Sequence, residues 1–365
     1  MMKSAMRLLG LLLLLSTLLF CLTSCELIDG IRDFFEKPAD LAFELLPDGT
    51  YMVVDVNREI KATELTVPAE HEGIPVTAIG DEAFRACLRL EKVTLPDTLT
   101  VIGHAAFSGC TSLSVIEIPA SVISIGSAAF KSCVALDTIT LPTSVTELGE
   151  EAFSGCTGLS SVTVSGSVKE IGKKAFSGCL TLSSLTLCEG IERIGDSAFS
   201  GCVALGSLTL PASIKAIGSS AFSGCVALGS ISFSEGLESI GSSAFLGCVF
   251  LASIVLPDTL VTVGNSAFSG CARLTGVTLG QSVTTIGDYA FLYCERITTV
   301  AFPASVTSIG MGAFTGCTNF ISARFAVPEG WYAGKNAIPA IDLENPTAAA
   351  MYLKQTYTYH TWTKE

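Results

Sequence analysis

One motif, an aliphatic residue followed by G-x-x-A-F-x-x-C, recurs eleven times in this chain, each copy 23 residues after the last. Its cysteines are Cys87, Cys110, Cys133, Cys156, Cys179, Cys202, Cys225, Cys248, Cys271, Cys294 and Cys317, with no insertion or deletion between them. A constant period of this length makes every repeat follow the same path and stack on its neighbour, which is the signature of a solenoid. A single repeat has too few apolar side chains to fold alone, so the core must be shared along the stack. The 365 residues therefore read as one repeat unit, where length alone would suggest two or three domains.

The unit is clearest in residues 205–225, LGSLTLPASIKAIGSSAFSGC. Leu208 and Leu210 are two apart, which predicts a short strand with both side chains inward. Pro211 follows and, having no N–H to donate, ends the strand; Pro96, Pro119, Pro142, Pro257 and Pro303 occupy the same slot. Ile214 and Ile217 predict a second short extended segment, Gly218 a sharp turn, and Ala221-Phe222 a single helical or 3₁₀ turn leading to Cys225. Each coil then supplies about six inward side chains. Stacked at ~4.8 Å, these become ladders of Leu, Ile, Phe and Cys, and eleven coils span on the order of 50 Å.

The ends of the stack differ from its middle. Residues 42–46 and 51–56 are strand-prone runs around Pro47-Asp48-Gly49-Thr50, and the Asp-Gly pair favours a tight hairpin turn. The hairpin is expected to cover the open end of the first coil. That coil, around Leu65-Thr66-Val67-Pro68, carries extra residues 69–75 before Ile79-Gly80, as terminal repeats often do.

The N-terminus is a targeting segment. Lys3 and Arg7 precede an apolar stretch, residues 8–22, that is shorter than the ~20 residues of a spanning helix. Leu22-Thr23-Ser24-Cys25 resembles the lipobox of bacterial lipoproteins. The resemblance implies cleavage before Cys25, diacylglycerol on its thiol and acylation of its new amine, hence attachment to a membrane without spanning it. Glu26, where an aspartate would favour inner-membrane retention, points to the outer membrane. Residues 25–40 read as a tether; Ile28, Ile31, Phe34 and Phe35 would line one side of a short helix, or belong to a loosely ordered linker.

The full unit, L-x-x-V-x-L-P-x-S-V-x-x-I-G-x-x-A-F-x-G-C, resembles the treponemal, BspA-like class of bacterial leucine-rich repeats over residues 41–327. Ile74-Pro75-Val76-Thr77-Ala78-Ile79-Gly80-Asp81-Glu82-Ala83-Phe84 is similar to the usual first repeat of that family. The tail, from Trp331-Tyr332 through Asp342 to Thr361-Trp362, resembles the C-terminal cap of some members. The fold class expected is an α/β repeat: a leucine-rich-repeat solenoid of 23-residue coils, with short parallel strands, short helical or 3₁₀ turns and an N-terminal β-hairpin cap. The segments would be a lipoprotein signal peptide (1–24), tether (25–40), hairpin cap (41–62), solenoid (63–327) and C-terminal cap or tail (328–365). The resemblance implies a surface-exposed lipoprotein that binds host or bacterial surface proteins, extracellular-matrix components among them, and brings no catalytic residues with it.

Composition narrows the chemistry. The chain has 21 basic and 34 acidic residues and no Lys/Arg cluster, so a phosphate backbone has no footprint and nucleic acid is not an expected partner. The cysteines are too widely spaced for a zinc site, which needs four converging ligands, so no metal or cofactor is expected. In-register neighbours point in parallel and do not converge as a disulfide requires. The ladder therefore reads as buried small apolar side chains, with Cys188, which stands in a proline slot, the most accessible thiol. His71, His104 and His360 are far apart and set up no nucleophile–base pair, so the chain does not read as an enzyme. Acidic pairs such as Glu150-Glu151 and Asp81-Glu82 read as exposed turns with a structural or solubilising role.

The candidate site is the outward position of the first strand. Thr94, Glu117, Thr140, Thr163, Thr186, Thr209, Ser232, Val255, Thr278, Ala301 and Arg324 occupy it in turn. Strand alternation points these away from the core and stacking aligns them, giving a mid-chain hydroxyl ladder. Two readings stay open: a docking face for an extended protein or a glycan, or threonine chosen because it suits exposed strands. Candidate anchors flank the ladder, Glu117 at one end and Arg324, Trp331 and Tyr332 at the other. The expected function is non-catalytic binding at the cell surface, such as adhesion, with a periplasm-facing structural or envelope-assembly scaffold as the alternative.

Overall fold

The structure, a computed structural model, describes residues 41–56 and 62–365. The expected signal segment and tether, with Cys25, lie outside the described residues.

Each coil has two short strands and a turn segment. In residues 205–225 the strands are Ser207–Thr209 and Ala216–Ile217. Leu205, Leu208, Leu210, Ile214, Ile217, Ala221, Phe222 and Cys225 are all buried, so eight side chains point inward where about six were expected. Neighbouring strands pair in parallel at a register of one repeat: Leu208 opposite Ile231, and Ile217 opposite Ile240.

The two strands build two different sheets. The second strands form an unbroken parallel run from Glu170–Ile171 to Ser308–Ile309, and another from Ile74–Ile79 to Glu147–Leu148. The first strands form four separate groups of three, three, two and four. Prolines close the first strand as expected, and their carbonyls accept from the third residue on, as in Leu99 N–H to Pro96 and Val122 N–H to Pro119, both 3.1 Å.

The glycine after the second strand does a different job from the one its sequence context suggested. Gly218 has no positive φ; a Cβ there would lie 2.7 Å from the backbone of Gly195 and Asp196 in the preceding coil. It is glycine because two backbones approach closely there, and the turn needs no conformational freedom at that point. The left-handed conformations that recur fall elsewhere, two in each turn segment. One is the residue before Ala-Phe, from Glu82 to Gly312, with φ of 49–64°. The other is the residue before cysteine, from Ala86 to Gly316, with φ of 56–76°.

These two residues shape the turn segment. The expected helical or 3₁₀ turn appears as successive i→i+3 turns, for example Ala83 N–H to Gly80, Arg85 to Glu82 and Cys87 to Phe84. Each left-handed residue stops a helix from propagating. Alternate N–H groups turn outward to the next coil instead: Glu82 to His104, Phe84 to Ala106 and Ala86 to Ser108. The backbone is thus satisfied both within and between coils, as burial demands. Inside, the phenylalanines from Phe84 to Phe314 stack near-parallel, with ring centroids 4.9–5.5 Å apart.

Both ends are capped. Leu41–Leu45 and Tyr51–Val56 form a hairpin whose turn is held by Asp48, which accepts from Thr50 N–H and Oγ1. Tyr51–Val56 then pairs in parallel with Ile74–Ile79 and covers the first coil. The extra residues include Glu70–His71, which folds back antiparallel on Ile74-Pro75, and His71 stacks on Phe43 at 4.0 Å. At the other end Trp362–Lys364 pairs antiparallel with Ser308–Ile309, and Trp331–Ala333 with Trp362–Lys364. Two short helices, α1 (Ala340–Glu344) and α2 (Pro346–Met351), lie over the last first-strand, Ser322–Phe325.

Candidate functional site

The structure places the ladder residues as one aligned row within each first-strand group. Thr140 sits opposite Thr163 and Thr163 opposite Thr186; Thr209 faces Ser232, Val255 faces Thr278, and Ala301 faces Arg324. Most are flanked by two buried neighbours, as with Leu208 and Leu210 around Thr209, and the rest by one buried and one half-buried, so strand alternation turns them outward. All are exposed except Thr163, which is half-buried. The row is interrupted where the first-strand groups end, between Glu117 and Thr140, Thr186 and Thr209, and Ser232 and Val255. Its hydroxyls are unspent: none of these threonines, nor Ser232, makes a side-chain hydrogen bond among the described residues. Flanking hydroxyls, by contrast, bond to the coil before, Ser183 Oγ to the Ser160 carbonyl and Thr275 Oγ1 to the Ala252 carbonyl.

Depressions lie at both ends of the row. One, of about 300 Å³, is lined by Lys92, Thr94, Asp97 and Glu117. The other, of about 410 Å³, is lined by Thr278, Gln281, Ala301, Phe302, Arg324 and Phe325 among others. Trp331 is not an anchor: it is 2% exposed, donates its indole N–H to the Val327 carbonyl and packs on Phe325. The cap takes it because Trp362, far away in sequence, closes over the same strand. Tyr332 is half-buried within the cap sheet.

A second surface went unnoticed in the sequence. A groove of about 770 Å³ on the second-strand face is lined by Glu147, Glu150, Lys169, Glu170, Lys173, Arg193 and Asp196. Arg193 lies 3.6 Å from Glu170, and Lys215 lies 3.2 Å from Glu192. The signal for it is the residue before the aliphatic-glycine pair, which runs Glu147, Glu170, Arg193 in successive repeats. The groove lies where the second sheet is interrupted, between Glu147–Leu148 and Glu170–Ile171.

Some acidic turn residues have a structural role. Glu151 bridges Lys131 at 2.5 Å and Lys174 at 3.5 Å, and the hydrogen bond from Lys131 holds its carboxyl below the usual range. Asp81, Asp196 and Asp288 each accept the backbone N–H of the equivalent residue one coil on, at 2.7 Å.

The ladder thiols from Cys110 to Cys317 are buried, and each donates to the phenylalanine carbonyl of the coil before, as Cys110 Sγ does to Phe84 at 3.0 Å. Cysteine is therefore more than a small apolar filler: it supplies a weak donor to a carbonyl with a spare lone pair. Burial pushes Cys156 and Cys225 up to about 12, so they are poor nucleophiles. Among the described residues Cys188 and Cys87 are the two half-exposed thiols. Among the described residues no group of three His, Cys, Asp or Glu is placed to hold a metal ion, and no helix is long and apolar enough to cross a membrane. The three histidines remain apart: His71 in the N-terminal cap, His104 in a turn, His360 against Tyr357.

No curated protein matches the chain in sequence. A leucine-rich repeat protein from Bacteroides ovatus has a similar structure, with 27% identity over 78% of this chain and 92% of that one, at a TM-score of 0.51. A leucine rich cell surface protein from Faecalibacterium prausnitzii is similar as well, with 29% identity, the same coverages of 78% and 92%, and a TM-score of 0.50. The family model for the BspA type leucine rich repeat region matches residues 77–206 and 192–321. With the repeat, its two-strand coil and its ladders matching across most of the solenoid, the chain belongs to the BspA-type leucine-rich repeat family.

Proposed function

We propose that this protein is a non-catalytic binding protein of the cell envelope, anchored through a lipid on Cys25 and presenting its first-strand face to a surface or extracellular-matrix protein or a glycan. The observation that carries the reading is the row of exposed, register-aligned hydroxyls with no partners of their own. Leucine-rich repeat solenoids are binding scaffolds, and one similar structure is that of a cell surface protein. In this reading the segments serve as signal (1–24), tether (25–40), hairpin cap (41–62), binding solenoid (63–327) and C-terminal cap (328–365). Many anchored copies would compensate for modest single contacts through avidity.

Thr163→Lys, Thr186→Lys and Thr209→Lys combined should abolish capture of surface or matrix ligands while circular dichroism stays unchanged. Unaltered capture removes the ladder from the function. Protease treatment of intact cells tests the address: digestion places the solenoid outside, whereas protection until the envelope is broken leaves a periplasm-facing scaffold. Replacing Cys25 with serine should abolish incorporation of labelled fatty acid.

A further inference from the structure

The first-strand face changes character toward its C-terminal end. Beyond Ser232 the ladder runs Val255, Thr278, Ala301 and Arg324, and Val255 is 66% exposed. The 410 Å³ depression opens here for identifiable reasons. Ala301 stands where most coils carry a hydroxyl residue, so the floor drops by the missing atoms. Gln281 and Pro303 border it, and Gly280 beside Gln281 is close-packed on the preceding coil, where a Cβ would lie 2.0 Å from the Pro257 carbonyl oxygen.

Arg324 lines this depression and makes no ion pair or hydrogen bond among the described residues. Its strand partner toward the middle of the stack is Ala301, which offers it nothing. No carboxylate lines the depression, although acidic residues outnumber basic ones 34 to 21 in the chain. Next to Arg324 in the strand, an apolar wall is offered by half-buried Phe325, which stacks on the buried Phe302 at 4.7 Å and 19°. Phe325 is held from behind by Trp331 at 5.2 Å and Trp362 at 6.2 Å, so the wall is rigid.

An unspent guanidinium is a planar fork that matches a carboxylate, and an adjoining rigid aromatic wall suits an apolar side chain. Arginine and aromatic residues together are the usual energetic anchors of protein interfaces. We infer that this depression anchors the docking face, taking an aspartate or glutamate side chain of an extended polypeptide together with an apolar residue beside it. The inference rests on the reading of the first-strand face as the docking surface, and it names the class of partner: a protein displaying an acidic-apolar segment.

The chain carries its own reporter, because its only two tryptophans, Trp331 and Trp362, both pack on Phe325. The full-length protein is titrated with the capped peptides acetyl-Val-Glu-Val-amide and acetyl-Val-Gln-Val-amide, following tryptophan emission. The glutamate peptide should give a saturable change, weakened by salt, and about tenfold or more weaker for the glutamine peptide and for Arg324→Gln, as loss of a charge-assisted contact predicts. Arg324 is exposed, so the variant keeps its fold. No saturable response, equal affinity for the two peptides, or an unaffected Arg324→Gln variant overturns the inference. Sodium glucuronate binding as tightly as the glutamate peptide also overturns it, by assigning the depression to acidic sugars. The triple lysine variant on the ladder separates the two readings. If it loses surface capture while the peptide response is absent in the parent, only the anchor falls. If it captures normally while the peptide response depends on Arg324, the ladder falls and the anchor stands alone.

Discussion

The two strand columns of this solenoid have the same 23-residue period and opposite roles. Second strands pair through long unbroken runs, with one interruption at Glu147–Leu148 and Glu170–Ile171; first strands are interrupted three times. The spacing of backbones at their glycines differs as well. Behind the second strand, a Cβ at Gly126, Gly149 or Gly264 would lie 2.7, 2.4 or 2.5 Å from the preceding coil's backbone, so the coils are clamped at close approach. Beside the first strand the approach varies: a Cβ at Gly206 would meet nothing within 4 Å, whereas one at Gly280 would lie 2.0 Å from the Pro257 carbonyl oxygen. Cohesion therefore resides in the second strand and turn segment, which leaves the first-strand face free to vary its side chains.

The largest expected effect sets the turn-side thiols against the first-strand one. Burial raises Cys156, Cys225 and Cys317 from 9.0 to about 12 in the folded chain. Between those values the unfolded chain loses protons that the folded chain keeps, so stability is full below about pH 9 and falls as pH rises toward 12. Each such thiol contributes about 1.4 kcal/mol per pH unit. Denaturant midpoints should drop steeply over that window; a flat profile would show that the thiols are not buried. Cys188, at a first-strand end, should react with a thiol reagent at neutral pH while the buried ladder thiols from Cys110 to Cys317 wait for unfolding.

Next in size is the phenylalanine column. Phe222→Ala should cost about 3–5 kcal/mol in chemical denaturation, because its ring is fully buried between two others. The glycine argument is tested most directly by a pair of identical substitutions. Gly264→Ala should cost about 1–3 kcal/mol or more through overpacking, and Gly206→Ala close to nothing. Equal costs would break the contrast between the two columns.

Smaller effects belong to the one interruption in the second sheet. Gly172 N–H lacks the bond to the preceding coil that Gly149 gives to Ile125 and Gly195 to Ile171, both within 2.9 Å. Its amide should exchange with deuterium faster than those two. Glu147 and Glu170 also face each other there as like charges at equivalent positions of adjacent coils. Glu147→Lys should stabilise by about 0.2–1 kcal/mol at low salt, less as salt rises. A destabilisation would mean that the carboxylate's hydrogen bond from Ser124, at 3.0 Å, matters more than the repulsion.

Much of this was legible because in a solenoid a sequence column is also a structural column. The inward Leu208, Leu210, Ile214, Ile217, Phe222 and Cys225, and the outward Thr209, follow from period and alternation within one repeat. The charged groove was not legible, since Glu147, Lys169 and Arg193 meet only when three coils stack. Nor was the burial of Trp331, which depends on Trp362 returning antiparallel across the cap.

By itself, then, the sequence determined the repeat, the inward set, the strand-ending prolines and the family, all consequences of local pattern repeated at constant spacing. Tertiary structure decided why the motif glycines are glycine, which residues take left-handed backbone, where each sheet breaks, and where Arg324 stands without a partner. Those depend on distances between backbones of different coils. A one-dimensional period states that such coils stack, but not how closely.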